Sequence, residues 1–147
     1  MRITLTTLQQ HVKNNNKFSV LTCYDATFAK ILEGAGVDVL LIGDSLGNVL
    51  KGESTTLSVT LDDMIYHTRC VSSGSNRALI MADMPFGSYQ QSPQQAFDNA
   101  SKILAAGAHM VKIEGGQVMA ETTAFLTQRG IPVCAHIGLM PQSIHQL

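Results

Sequence analysis

A chain of 147 residues is long enough for one domain with a core of its own, since domains commonly run to about 100–150 residues. Its makeup is 45% hydrophobic and 14% charged, with 10 Lys and Arg against 11 Asp and Glu, and it offers no basic stripe of the kind that neutralises phosphates; nucleic acid is therefore not an expected partner. Asp38, Asp44, Asp83 and Lys112 bound or interrupt the most apolar stretches, so no run approaches the roughly 20 residues that span a bilayer.

The opening MRITLTTLQQHVKNNN lacks the apolar segment of a secretory signal, so the expected location is the cytoplasm. Residues 18–24 form the first of five short runs rich in Val, Ile and Leu; the others are 37–43, 78–83, 109–114 and 131–138. Short, nearly continuous apolar runs are expected to be parallel strands buried on both faces. Helical patterns lie between them. Asp25 caps a helix over 26–34 with Phe28, Ile31 and Leu32 turned inward. The polar connection 46–59, with Gly47, Gly52, Glu53, Ser54, Thr55 and Thr56, reads as a mobile loop over the strand ends. A second helix follows over 60–73. The clearest helix spans 92–107: Ser92 can cap, Pro93 suits the first turn, Gln95 completes a capping box, and Gly107 suits a left-handed stop. A fourth, 117–129, places Val118, Thr122, Phe125 and Leu126 on one face before Gly130 and Pro132 end it.

Strand and helix alternating at short intervals define the α/β class, either an open doubly wound sheet or a (β/α) barrel. A complete barrel takes roughly 250 residues and eight units. The expectation is therefore a single partial (β/α) barrel domain over 1–147, truncated after about the fifth strand with its C-terminal units missing. Val20, Leu41, Ile80 and Val111 are expected on its inner face.

A charge follows each of three apolar runs: Asp44 after LLIG, Asp83 after LIMA and Glu114 after VKI. In a parallel barrel those C-terminal ends line one mouth, where distant carboxylates converge. Taken singly, each acid has an ordinary reading, as a turn cap, a loop stabiliser or a solvated strand end. Together they would repel unless a cation or Lys112 neutralised them, and hard oxygen donors suit Mg2+. Lys112 lies two residues before Glu114 and shares its face, so both are expected to enter the barrel. His136, near the end of the fifth strand, fits a core histidine or a substrate contact equally well. Cys23, Cys70 and Cys134 are odd in number and far apart, so they read as buried thiols rather than a disulfide or zinc framework. His11, His67 and His145 lack metal-ligand spacing, Asp62 and Asp63 are first-turn acids of a helix, and GDSLG is no nucleophile elbow.

In order, TCYDATFAKILEGAGVDVLLIGDSLG, VTLDDMIYHT, ADMPFGSY, QAFDNASKILAAGAHMVKIEGG and PVCAHIGLMPQS resemble the ketopantoate hydroxymethyltransferases along nearly the whole chain. The resemblance implies a barrel of the phosphoenolpyruvate/pyruvate type in a homo-oligomeric family of pantothenate and coenzyme A synthesis. It also implies transfer of a hydroxymethyl group from 5,10-methylenetetrahydrofolate, a cosubstrate, to 3-methyl-2-oxobutanoate, giving 2-dehydropantoate. Asp44 and Asp83 then match Mg2+ ligands, with Glu114 the third acidic position, and Asp44, Ser45, Asp83 and Lys112 match oxo-acid contacts. His136 is carried as a further substrate contact. The family's general base, a glutamate on a later part of the barrel, has no counterpart before Leu147, and Ser58 and Met140 stand where proline and threonine are expected. Two alternatives follow: an inactive fragment or interaction remnant of that enzyme, and a carbon-carbon lyase of the isocitrate lyase type. Alone, such a partial barrel is expected to self-associate and to lack turnover.

Overall fold

The computed structural model describes residues 1–146. Five strands form one sheet: β1 (Val20–Thr22), β2 (Val39–Ile42), β3 (Leu79–Asp83), β4 (Met110–Glu114) and β5 (Val133–His136). Every neighbouring pair is parallel and the spatial order is the chain order. A doubly wound sheet reverses its strand order at a switch point, where its ligands bind. This sheet has no reversal, so its arrangement is that of consecutive barrel strands.

Local chemistry sets the helices. The Asp25 side chain accepts from the Phe28 N–H and starts α2 (Ala26–Gly34). The short α3 (Leu46–Val49) follows β2, and Thr60 and Asp63 exchange side-chain and backbone bonds in a capping box that starts α4 (Leu61–Gly74). Ser92 caps α5 (Pro93–Ala105) through the Gln95 N–H. The reciprocal half of that box does not form. Gln95 instead reaches back to the Gln91 N–H and the Gly87 carbonyl, tying the preceding loop to the helix. The pattern over 117–129 divides into a 3-10 turn, Gly116–Met119, and α6 (Ala120–Thr127), which leaves Val118 exposed while Thr122 and Leu126 are buried. Gly74 lies against the Ala26 backbone so closely that an added methyl would collide, which is how α2 and α4 pack side by side.

The two sheet faces have separate cores. On the helix-covered face, Leu40, Ile42, Ile80, Ala82, Val111 and Ile113 join residues such as Met64, Ala100 and Leu126. On the other face, Val39, Leu79, Met81 and Met110 meet Leu8 of α1 (Leu5–Lys13), an N-terminal helix outside the expected elements that Thr4 caps. Strand parity corrects the expected inner set: Ile80 and Val111 face the helices, and their neighbours Leu79, Met81 and Met110 face inward. Runs apolar on both faces hide this one-residue offset from the sequence. Phe28 and Ile31 are likewise exposed, while Ala29 is the fully buried residue of α2.

The connection expected to be a mobile loop is ordered. Leu46, Gly47 and Val59 are buried, the Glu53 N–H bonds to the Gly47 carbonyl, and Lys51 pairs with Asp63 at 2.8 Å. Cys23 is buried, whereas Cys70 and Cys134 are partly accessible, and all three are free thiols.

Candidate active site

The parallel sheet delivers its charged residues to one end. Asp83 ends β3 and Glu114 ends β4, while Asp44 follows β2 in the turn that opens α3. All three are buried. The Asp44 N–H donates to Asp83 Oδ2 at 3.0 Å, so backbone and carboxylate bridge two strand ends. Lys112 faces Asp83 across the β3–β4 ladder, with its Nζ 2.5 Å from Asp83 Oδ1. The inward lysine expected from the sequence is therefore present, and it serves as the counter-charge to Asp83.

One ammonium among three acids leaves the site electron-rich. Burial raises the Asp83 carboxyl, Lys112 opposes that rise, and Asp44 adds to it, leaving Asp83 at about 6. For Lys112, burial disfavours the charge, but Asp83 first and then Asp44 and Glu114 outweigh it and hold the ammonium above its ordinary value.

The remaining expected residues are placed differently. The Ser45 hydroxyl lies beside Asp44 in sequence and 2.9 Å from the Tyr24 hydroxyl. His136 is in register with Glu114, but its Nε2 bonds to the Leu139 carbonyl of its own turn at 2.5 Å rather than to the acids. Among the described residues, no three His, Cys, Asp or Glu side chains cluster closely enough to hold a metal ion. The geometry thus brings together Asp44, Asp83 and Lys112, and sets Glu114 alongside.

What joins Glu114 to the others is Gln142, in the 3-10 turn Pro141–Gln146 after β5, a residue that sequence reasoning missed. Only 4% of it is exposed. Its Nε2 donates to Asp44 Oδ2 at 2.8 Å and to the Met84 carbonyl at 2.9 Å, and its backbone N–H reaches Glu114 Oε2 at 3.2 Å. Tyr89, fully buried, accepts the Glu114 N–H at 3.0 Å, and its hydroxyl lies 2.7 Å from Gln142 Oε1. Tyr89 sits in ADMPFGSY and Gln142 in PVCAHIGLMPQS. The signal was the motifs themselves, since neither residue type stands out as chemistry-bearing. A cavity of about 250 Å³ opens beside Glu114, walled by Phe86, Tyr89, Gln90, Met140 and Gln142.

Consecutive parallel strands in chain order, with α2, α4, α5 and α6 on one face and buried carboxylates at their C-terminal ends, define the (β/α) barrel class. Solved structures agree on the fold. A 2,3-dimethylmalate lyase of the PEP mutase/isocitrate lyase superfamily superposes with TM-score 0.66 at 21% identity, covering 90% of this chain and 52% of that one. A phosphonopyruvate hydrolase, solved with oxalate and Mg2+, gives TM-score 0.67 at 15% identity over 87% of this chain and 50% of that one. The ketopantoate hydroxymethyltransferase family model matches residues 2–147, and the chain belongs to that family. Among curated relatives, 3-methyl-2-oxobutanoate hydroxymethyltransferases of Nitrosomonas europaea and Nitrosospira multiformis are 68% and 65% identical over 99% and 100% of this chain. They are covered over 54% and 56% of their own length, so the chain spans about half the length of the relatives it matches. Among the described residues no helix is long and apolar enough to cross a membrane.

Proposed function

We propose that this chain supplies the metal- and oxo-acid-binding part of a cytoplasmic enzyme, homo-oligomeric when its barrel is complete, that transfers a hydroxymethyl group from 5,10-methylenetetrahydrofolate to 3-methyl-2-oxobutanoate. In this reading it contributes five of the eight strands, about four and a half units, of one barrel domain. The observation that carries it is the convergence of Asp44, Asp83 and Lys112 at one end of the sheet, in a chain of this family.

The donor set fits a hard divalent cation. Asp44 and Asp83 are adjacent buried carboxylates, and no hydrogen bond among the described residues reaches Asp44 Oδ1 or Glu114 Oε1. Asp44 and Asp83 would hold Mg2+, with Glu114 contributing from the next strand end through water. When bound, the ion supplies Lewis-acid polarisation of the oxo acid, which makes its C3 proton easier to remove.

The chain's own residues then have distinct tasks. The Lys112 ammonium binds the substrate's anionic oxygens and stabilises the negative charge that develops on them. The Ser45 hydroxyl, paired with the Tyr24 hydroxyl at 2.9 Å, would contact the oxo acid beside Asp44. His136 would contact substrate only after releasing the Leu139 carbonyl. No residue described here is assigned as the general base.

The test is a binding titration of the 147-residue chain with 3-methyl-2-oxobutanoate, isocitrate and phosphonopyruvate, each with Mg2+, followed by ligand-observed NMR. Mg2+-dependent binding of 3-methyl-2-oxobutanoate that Asp83→Asn abolishes is the expected result. Preference for isocitrate or phosphonopyruvate would replace this reading with a carbon-carbon lyase or hydrolase.

A further inference from the structure

Resting on the cation reading above, we propose that Gln142 is a positioning residue that brackets Asp44 and Glu114 and turns one oxygen of each toward a shared divalent cation. Gln142 lies 98 residues from Asp44 in sequence, yet among the described residues it is the one bonded to both acids. Its side-chain amide holds Asp44 Oδ2 and its main-chain N–H holds Glu114 Oε2, each leaving the other carboxylate oxygen without a hydrogen bond among the described residues.

The amide is itself fixed at every polar position. One Nε2 proton goes to Asp44 and the other to the Met84 carbonyl, while Oε1 receives the Tyr89 hydroxyl and the Gln90 side-chain amide at 3.2 Å. Those partners set its orientation, because Asp44 and the Met84 carbonyl only accept and the Gln90 amide only donates. Gln142 therefore presents its NH2 to Asp44 and is not itself a cation ligand.

The choice of a neutral donor has a physical reason. Lysine or arginine at this position would neutralise Asp44 and compete with the cation. An apolar residue would leave Asp44 Oδ2 buried without a donor. A carboxamide satisfies one oxygen and keeps the negative charge in place for the ion. Tyr89 couples the bracket to Glu114 a second time, since its hydroxyl accepts the Glu114 N–H. Partners that orient metal ligands in this way typically account for about 10- to 100-fold in metal affinity.

The test titrates the 147-residue chain with Mn2+ and follows the free-ion and bound-ion EPR signals for wild type, Gln142→Met, Tyr89→Phe and Asp83→Asn, with far-UV circular dichroism confirming the fold of each. Gln142→Met, which keeps length and the main-chain N–H to Glu114 but removes the side-chain bonds to Asp44, Met84, Tyr89 and Gln90, should bind Mn2+ about 10- to 100-fold more weakly and with an altered bound-ion spectrum. Tyr89→Phe keeps the buried ring and should move both readouts in the same direction by less. If Gln142→Met does not fold, Tyr89→Phe decides. Wild-type affinity and spectrum in the folded variants, with binding lost in Asp83→Asn, would overturn the role of Gln142 while leaving the cation reading intact. A wild-type chain that binds no Mn2+ would overturn both.

Discussion

The Lys112 ammonium reaches Asp83 Oδ1 because the two residues are register partners on β4 and β3, both on the inward face. The pair is not a stabilising salt bridge of the ordinary kind. Burial first, and the nearby Asp44 charge after it, raise the Asp83 carboxyl to about 6 against Lys112 and the Asp44 N–H, so the fold holds its ionised form at a cost. Costly buried charge at one end of a sheet is the pattern of a binding site rather than of a structural strut.

Asp83→Asn separates these roles. Because the folded-state value lies above the ordinary 3.8, ionised Asp83 weakens the fold near neutral pH and does so less as pH falls through about 6. The variant should keep or raise the melting temperature of the metal-free chain at pH 7, while Mg2+ and oxo-acid binding fall by about 100-fold, roughly 2.7 kcal/mol. A melting temperature lowered by more than about 4 °C, roughly 1 kcal/mol or more at this size, would mark Asp83 as structural.

Lys112→Met keeps the buried stem and removes the charge. The ammonium competes with a cation for Asp83 but attracts the anionic substrate, so the two affinities should move oppositely. Mg2+ should bind more tightly. 3-Methyl-2-oxobutanoate should bind about 10-fold or more weakly, at about 1.4 kcal/mol per decade. Isothermal titration with each ligand measures both, and weakening of both together would contradict this assignment.

Most of the scaffold was legible because its signals are local. Asp25, Thr60 and Ser92 cap where their side chains can reach the third backbone N–H, and the five apolar runs contain the five strands. Asp83, Glu114 and Lys112 could be placed because strand ends and two-residue parity are properties of the chain alone. What failed was not local. Runs apolar on both faces carry no parity, so the side that Ile80 and Val111 take is not legible in them; α1 has Leu5, Leu8 and Val12 at helical spacing behind a Thr4 cap, but it lies outside the strand-helix alternation and buries only Leu8. Gln142 was invisible for a related reason: a glutamine acquires its role only when the fold carries it across to Asp44.

Glu33 gives the fold a pH dependence distant from the site. Burial alone would raise its carboxyl, but the Ser75 hydroxyl and the backbone N–H groups of Ala78, Arg77 and Asn76 overrule that and hold it at about 2, below its ordinary 4.5. A depressed carboxylate stabilises the fold fully above about 4.5 and loses that contribution as pH falls toward about 2. Glu33→Gln should therefore cost about 1–3 kcal/mol at pH 7, and its deficit against wild type should shrink over that acid window. Urea midpoints of both proteins from pH 7 to pH 2.5 check this, and a deficit independent of pH would show that the charge of Glu33 contributes nothing.

The isolated 147-residue chain should self-associate. In the described sheet β1 and β5 each have one neighbour, which leaves two rows of backbone donors and acceptors free to pair with another chain. Val20 and Leu21 on β1 are both more than 40% exposed. Val20 also lines an apolar cavity of about 280 Å³ between α1 and the inward face, together with Leu8, Val39, Leu79, Met81 and Met110. A closed barrel packs such a face with its own side chains, whereas here another chain can supply them. Sedimentation at about 50 µM, a concentration chosen from the roughly micromolar affinities of modest interfaces, should find species heavier than one chain. Val20→Lys, which sets a charge on both the edge and the cavity, should shift them toward the monomer. A wild-type chain that sediments as a single monomer at that concentration would show that α1 alone closes the inward face and that the free edges are too short to pair.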